Sequence, residues 1–125
     1  MAEIRINTTQ VTRAARNSFA VISNDIGKEF KKEISAVKWA WPGTTVRENG
    51  STVGSPRDIV DTGDLLNSQQ MSLVGFVTDY VWDVEYSGIV HQGNGAKVPP
   101  RPWTETALQL KPWATIFEQK WAEYL

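Results

Sequence analysis

At 125 residues, with no cysteine, one histidine and a formal net charge of −1, the chain has the size of one domain, able to bury roughly two-thirds of its unfolded surface without metals or disulfides. Disulfide frameworks, thiolate zinc sites and cysteine nucleophiles are thereby excluded. No apolar run approaches the roughly twenty residues of a membrane span, and Met1-Ala2-Glu3-Ile4-Arg5 lacks the charged-then-apolar form of a signal peptide, so a soluble protein made and used inside a cell is expected.

Charge is unevenly distributed. Residues 1–57 hold nine Lys/Arg against five acids, whereas 58–96 hold six acids and no Lys or Arg. Such a split suits head-to-tail docking of a basic surface on one copy against an acidic surface on the next; the alternative is chance segregation on a solvated surface.

Val11, Ala15, Phe19, Ile22, Ile26, Phe30, Ile34 and Val37 recur at spacings of four and three, which predicts a long amphipathic helix from about Thr9 to about Lys38. Thr8 or Thr9 can cap its start, and Lys28, Lys31, Lys32 and Lys38 fall in the later turns, where the helix dipole favours cations. Gly27 weakens the middle by about 1 kcal/mol relative to alanine and marks either a bend or an early stop. A straight helix of this span is roughly 43 Å long, against a radius of gyration near 14 Å for a globule of this size. Its apolar stripe must therefore bend or overhang, and an overhanging stripe needs a partner.

Trp39 and Trp41 precede Pro42-Gly43, which ends any helix. Residues 44–56 then read as a hairpin loop, with Asn49-Gly50 taking the positive φ angles of a tight turn. In Arg57-Asp58-Ile59-Val60-Asp61-Thr62-Gly63-Asp64-Leu65-Leu66-Asn67-Ser68, Asp61 is placed to cap a short helix, Asp64 to complement its dipole, Gly63 to relax the turn and Leu65 to anchor it. Met71–Val74 and Val81–Tyr86 are expected as an antiparallel pair joined through 75–80. A short helical or irregular turn through Ser87–Gly93 and a loop from Gly93 to Pro102 follow. Trp103–Leu110 forms a helix, and Pro112 allows a second piece through Trp113, Ile116, Phe117, Trp121 and Leu125. The expected fold is α+β over a single domain, 1–125. A long N-terminal helix (9–38) packs on a small antiparallel sheet (61–93), with a hairpin insert (44–56) and a broken C-terminal helix (103–125).

Little in the chain suggests catalysis. His91 is the only histidine and no Gly-x-Ser-x-Gly elbow accompanies it. Asp58, Asp61 and Asp64 repeat every three residues, but calcium loops need other spacing and more oxygen ligands, so turn and cap duty is the better reading. Gly93-Asn94-Gly95-Ala96-Lys97 lacks the second glycine and the Lys-Ser/Thr pair of a phosphate loop. No catalytic residue, metal or cofactor is expected. For any one of the six tryptophans core packing is the default, but as a set they favour an interface rich in aromatic anchors, and Phe19, Ile26, Phe30, Trp39, Trp41, Trp82 and His91 are its candidate residues.

Three features in order carry a resemblance: Arg57 through Asp61-Thr62-Gly63-Asp64-Leu65 to Ser68; Tyr86 followed by Ile89-Val90-His91-Gln92-Gly93; and Pro99-Pro100-Arg101-Pro102-Trp103 leading into a helix with Ala107. Together they resemble the tail-completion, or head-to-tail joining, proteins of tailed double-stranded DNA phages. The likeness covers nearly all of the chain after about residue 55; the Asn49-Gly50 insert and the piece after Pro112 depart from it. It implies a non-enzymatic virion protein of the neck, forming a homo-oligomeric ring, commonly hexameric, between head and tail. Such a ring contacts head-closure or connector proteins and tail proteins, and DNA passes through its lumen without sequence-specific contact. A tail terminator or head-closure ring is the alternative within this class; a small nucleic-acid-binding or regulatory domain using the basic first half is the alternative from another.

Overall fold

The computed structural model describes residues 2–3, 7–60, 63–94 and 98–125. It is α+β, ordered α1 (Thr8–Ser35), β1 (Thr45–Val46), β2 (Thr52–Val53), α2 (Asp64–Asn67), β3 (Gln69–Val74), β4 (Val77–Trp82), α3 (Ser87–Gln92), α4 (Trp103–Leu110) and α5 (Trp113–Tyr124). The strands form two separate antiparallel hairpins, β1-β2 and β3-β4.

Helix α1 starts one residue earlier than expected, and its cap is Asn7, whose side chain accepts the Gln10 N–H, rather than Thr8 or Thr9. It stops at Ser35, short of Lys38, because tertiary partners take over its last carbonyls. Ile59 N–H donates to the Ile34 carbonyl at 2.8 Å and the Trp39 indole N–H to the Glu33 carbonyl at 2.8 Å. Both satisfy groups that every helix end leaves open.

The buried stripe of α1 changes character along its length. In the first half the buried positions are Ala14, Ser18 and Ile22, while Val11 is exposed and Ala15 and Phe19 are only partly covered. Small residues let α5 lie close, running antiparallel to α1: the Trp121 indole donates to the Val11 carbonyl, and Lys111, just before α5, pairs with Glu29 at 2.8 Å. That ion pair holds the Glu29 carboxyl below its ordinary range despite its burial. The expected overhang is thus covered from within the chain, and the helix neither stops nor breaks at Gly27. The absence of a side chain there admits Gln69, which donates to the Gly27 carbonyl at 2.9 Å; a Cβ would lie 3.2 Å from Gln69 Nε2.

Phe30 and Ile34 in the second half of α1 join Trp39, Ile59, Leu65, Val90, Trp103 and Ala107 in the main core. A chain of edge-on aromatic contacts binds the elements together: Phe30 to Tyr80 at 4.9 Å, Phe30 to Trp82 at 5.4 Å, Trp82 to Trp103 at 5.4 Å and Trp103 to His91 at 4.7 Å between ring centres.

The β3-β4 hairpin differs from expectation. Its turn is the pair Gly75-Phe76, with Gly75 at φ +61°, so the second strand begins at Val77 and ends at Trp82 instead of spanning 81–86. A glycine in the first turn position is what a two-residue hairpin of right-handed twist demands. The inward alternation accordingly runs Thr78, Tyr80, Trp82. In the β1-β2 hairpin only Gly50 has positive φ; Asn49 stays at negative φ and its side-chain carbonyl accepts the Ser51 N–H at 2.9 Å and hydroxyl at 2.6 Å, closing the loop by an Asx turn. Helix α2 begins at Asp64 behind Gly63 at φ +89°, with no side-chain cap bond; Asp61 and Thr62 lie outside the described residues. The C-terminal helix is broken between α4 and α5, as Pro112 implies.

Replacing Phe30, 3% exposed, by alanine removes one member of the aromatic chain and leaves a cavity. A loss of about 3–5 kcal/mol is expected in urea denaturation; a loss under about 1 kcal/mol would show that the aromatic chain is not the core's main support.

Candidate functional site

The three sequence features of the resemblance, far apart in the chain, converge on one cavity of about 410 Å³. Arg57, Gly63 and Leu65 come from the first, Tyr86 and Val90 from the second and Arg101 from the third, while the hairpin insert contributes Thr45 and Arg47 and the segment before it Trp41. Main-chain bonds fix this convergence. Trp39 and Arg57 exchange two bonds of 2.8 Å at the base of the insert, and Arg101 N–H donates to the carbonyls of Val90 and His91, each at 3.2 Å.

The cavity is cationic on one side. Arg57 Nε donates to the Gly54 carbonyl at 2.8 Å, Nη2 to the Val53 carbonyl at 2.9 Å and Nη1 to the Thr45 hydroxyl at 3.0 Å. Arg47 pairs with Asp58 at 2.7 Å. The Arg57 and Arg101 guanidinium carbons lie 4.8 and 4.6 Å from the centre of the Trp41 ring, within cation–π range. Burial and the charge of Arg47 lower the pKa of Arg57, with Asp58 pulling it back up; burial, Arg57 and Arg47 lower that of Arg101. The lining also includes the apolar Ile59, Val60, Leu65, Leu66 and Val90 and the acidic Glu48 and Asp64.

The remaining motif residues act locally. Ser68 closes α2 by donating its hydroxyl to the Leu65 carbonyl at 2.8 Å. Gly93 ends α3 at φ +82°, where a Cβ would meet Pro100 N and the Val98 carbonyl at 2.7 Å, so only glycine admits the returning strand. Pro102 precedes α4, and Trp103 is core. Of the candidate interface residues, Phe30 and Trp39 are consumed by the core, and Ile26 and Trp82 pack against it. Phe19 meets Phe76 at 5.9 Å, and Trp41 lies under two guanidinium groups. His91 Nε2 shares a 2.6 Å hydrogen bond with the Thr104 hydroxyl, tying α3 to α4. On the β3-β4 hairpin, Val74, Phe76, Val77 and Val81 expose apolar surface; elsewhere Val37, Val46, Leu110 and Leu125 do so too. The misplaced turn hid the outward face that Val74 shares with Val77 and Val81.

Among the described residues, no helix is long and apolar enough to cross a membrane. Comparison with protein-family models, curated proteins and solved structures finds no match for the chain.

Burial lowers the pKa of His91 below its ordinary value of 6.5, the charge of Glu105 opposing the shift. The unfolded chain therefore binds this proton more readily than the folded one. Stability from this group is complete above pH 6.5 and falls as pH drops through the folded pKa. Thermal melts should show falling stability from neutral pH towards pH ~5, with a shallower slope in His91→Gln; equal slopes would contradict the assignment.

Proposed function

We propose that this chain is a structural subunit of the neck of a tailed double-stranded DNA phage, one copy of a homo-oligomeric ring that joins the head to the tail around the DNA path. The β3-β4 hairpin carries the reading. Its six register pairs leave the outer edge of each strand without a partner strand among the described residues. Around its turn Val74 is 75% exposed, Val77 62% and Phe76 49%. Long open edges with apolar side chains are templates for pairing with another chain, and closure into a ring removes every edge. Edge-to-edge pairing of this hairpin with its copies is therefore the assembly contact in this proposal.

Charge supports a head-to-tail arrangement. Arg13, Arg16, Lys28, Lys31 and Lys32 are exposed on α1, whereas Glu29 and Glu33 of the same helix are buried and paired with lysines. Asp79, Asp83 and Glu85 are exposed on β4 and the turn after it. The basic helix of one subunit thus meets the acidic strand of the next. The order of the three motifs supports the phage class, and their convergence on one cavity gives that order a structural reason. The ring has no catalytic role in this reading and is a component of the virion, assembled in the host cytoplasm.

The same α1 surface favours a second reading, a small nucleic-acid-binding domain. Tight binding to duplex DNA by the isolated protein, weakening steeply with salt as several phosphates are neutralised, would select it over the ring.

Analytical ultracentrifugation tests the ring directly. The wild-type chain should self-associate to a closed oligomer, and Val74→Lys combined with Val77→Glu should sediment as a monomer with thermal stability little changed, since both positions are exposed and opposite charges face each other across the register pair. A double variant that still assembles would remove the hairpin from the interface.

A further inference from the structure

We propose that the cavity beneath the β1-β2 hairpin is a receptor for a peptide carboxylate flanked by an apolar side chain, with Arg101 and Arg57 taking the charge. The inference stands apart from the ring reading: it concerns what enters the cavity, whether or not the chain assembles.

Arg101 is 8% exposed and Arg57 5%. Among the described residues, Arg101 forms no ion pair and donates no side-chain hydrogen bond, and its Nε is buried without a partner. Among the described residues, the Arg57 side chain hydrogen-bonds neutral acceptors, the carbonyls of Gly54 and Val53 and the Thr45 hydroxyl. Two guanidinium charges therefore lie over one indole, largely withdrawn from water. Only Arg47, of the three arginines in this cavity, has a carboxylate of its own among the described residues, Asp58 at 2.7 Å. Burying a charge without a counter-ion is costly, and proteins retain such an arrangement where an anion completes it. A guanidinium fork matches the two oxygens of a carboxylate.

The walls narrow the choice of anion. Ile59, Leu65, Leu66 and Val90 offer an apolar surface beside the cations, which suits a side chain next to the acid. About 410 Å³ is at the scale of small binding pockets. Exposed carboxylates of Glu48 and Asp64 line the same cavity. They repel a nucleic-acid backbone, with its dense row of charges, more than a single carboxylate, and the buried cations sit too deep for a duplex phosphate to follow.

The test uses the full chain with its arginine side chains labelled with nitrogen-15, titrated with acetyl-leucyl-glutamate amide. Its glutamine counterpart and inorganic phosphate are the comparison arms. The Nε–H signals of Arg57 and Arg101 should shift saturably at millimolar glutamate dipeptide, with the glutamine version binding about tenfold more weakly. Arg101→Met, which keeps a long side chain over Trp41, should lose the response and melt about 3 °C higher, because an unpaired buried cation has gone. No shift with the glutamate dipeptide, an equal response to glutamine, or a larger response to phosphate would each overturn the proposal. A lower melting point for Arg101→Met would overturn it too, by showing that the charge is already satisfied within the chain. If that variant does not fold, the wild-type titration decides alone.

Discussion

The contact on which this fold depends is the edge-to-face meeting of Phe30, Trp82 and Trp103. Phe30 comes from α1, Trp82 from the end of β4 and Trp103 from the first turn of α4, so three segments remote in sequence share one aromatic junction. With Trp103 placed, the chain just before it is constrained as well. Arg101 N–H reaches α3, Gly93 yields room for the backbone around Pro100, and His91 turns its ring edge to Trp103. The cavity beside Trp41 is a product of that constraint, since the segment that delivers Trp103 to the core also delivers Arg101 to the cavity wall.

Helix α1 supplies the frame by changing partners along its length. Its early turns bury the small Ala14 and Ser18, its middle gives up a side chain at Gly27 to admit Gln69, and its last turns bury Phe30 and Ile34. A 28-residue helix is thereby covered by a chain of modest size. Apolar side chains stay exposed at Val37, Val46, Leu110 and Leu125 as well as around the turn of the β3-β4 hairpin, where they adjoin open strand edges, and this is why the proposed assembly contact lies on that hairpin rather than on the helix.

Much of the architecture was legible in the sequence because it rests on local chemistry. The three-and-four spacing of Ile22, Ile26, Phe30 and Ile34 announces α1, Pro112 announces the break before α5, and the Gly50 turn announces the insert. Boundaries failed where tertiary partners intervened: Trp39 and Ile59 take the last carbonyls of α1, so the helix ends at Ser35 although the apolar pattern runs on to Val37. The second strand was misplaced because Gly75-Phe76 was read as part of a longer turn, which concealed the pairing of Val74 with Val77. Trp39 was expected at an interface, yet it is core. Periodicity cannot tell a buried aromatic of the protomer from one buried between protomers. The cavity itself was not readable, since its charge depends on Arg57 and Arg101 approaching the same ring from positions more than forty residues apart. The three motifs nevertheless pointed to its walls.

Cryo-electron microscopy of phage particles made from the genome that encodes this chain tests the central claim most directly. The ring account predicts density at the head–tail junction fitted by a closed ring of copies, with β3-β4 hairpins of neighbouring subunits paired edge to edge. Particles lacking the chain, or holding it away from that junction, would contradict it.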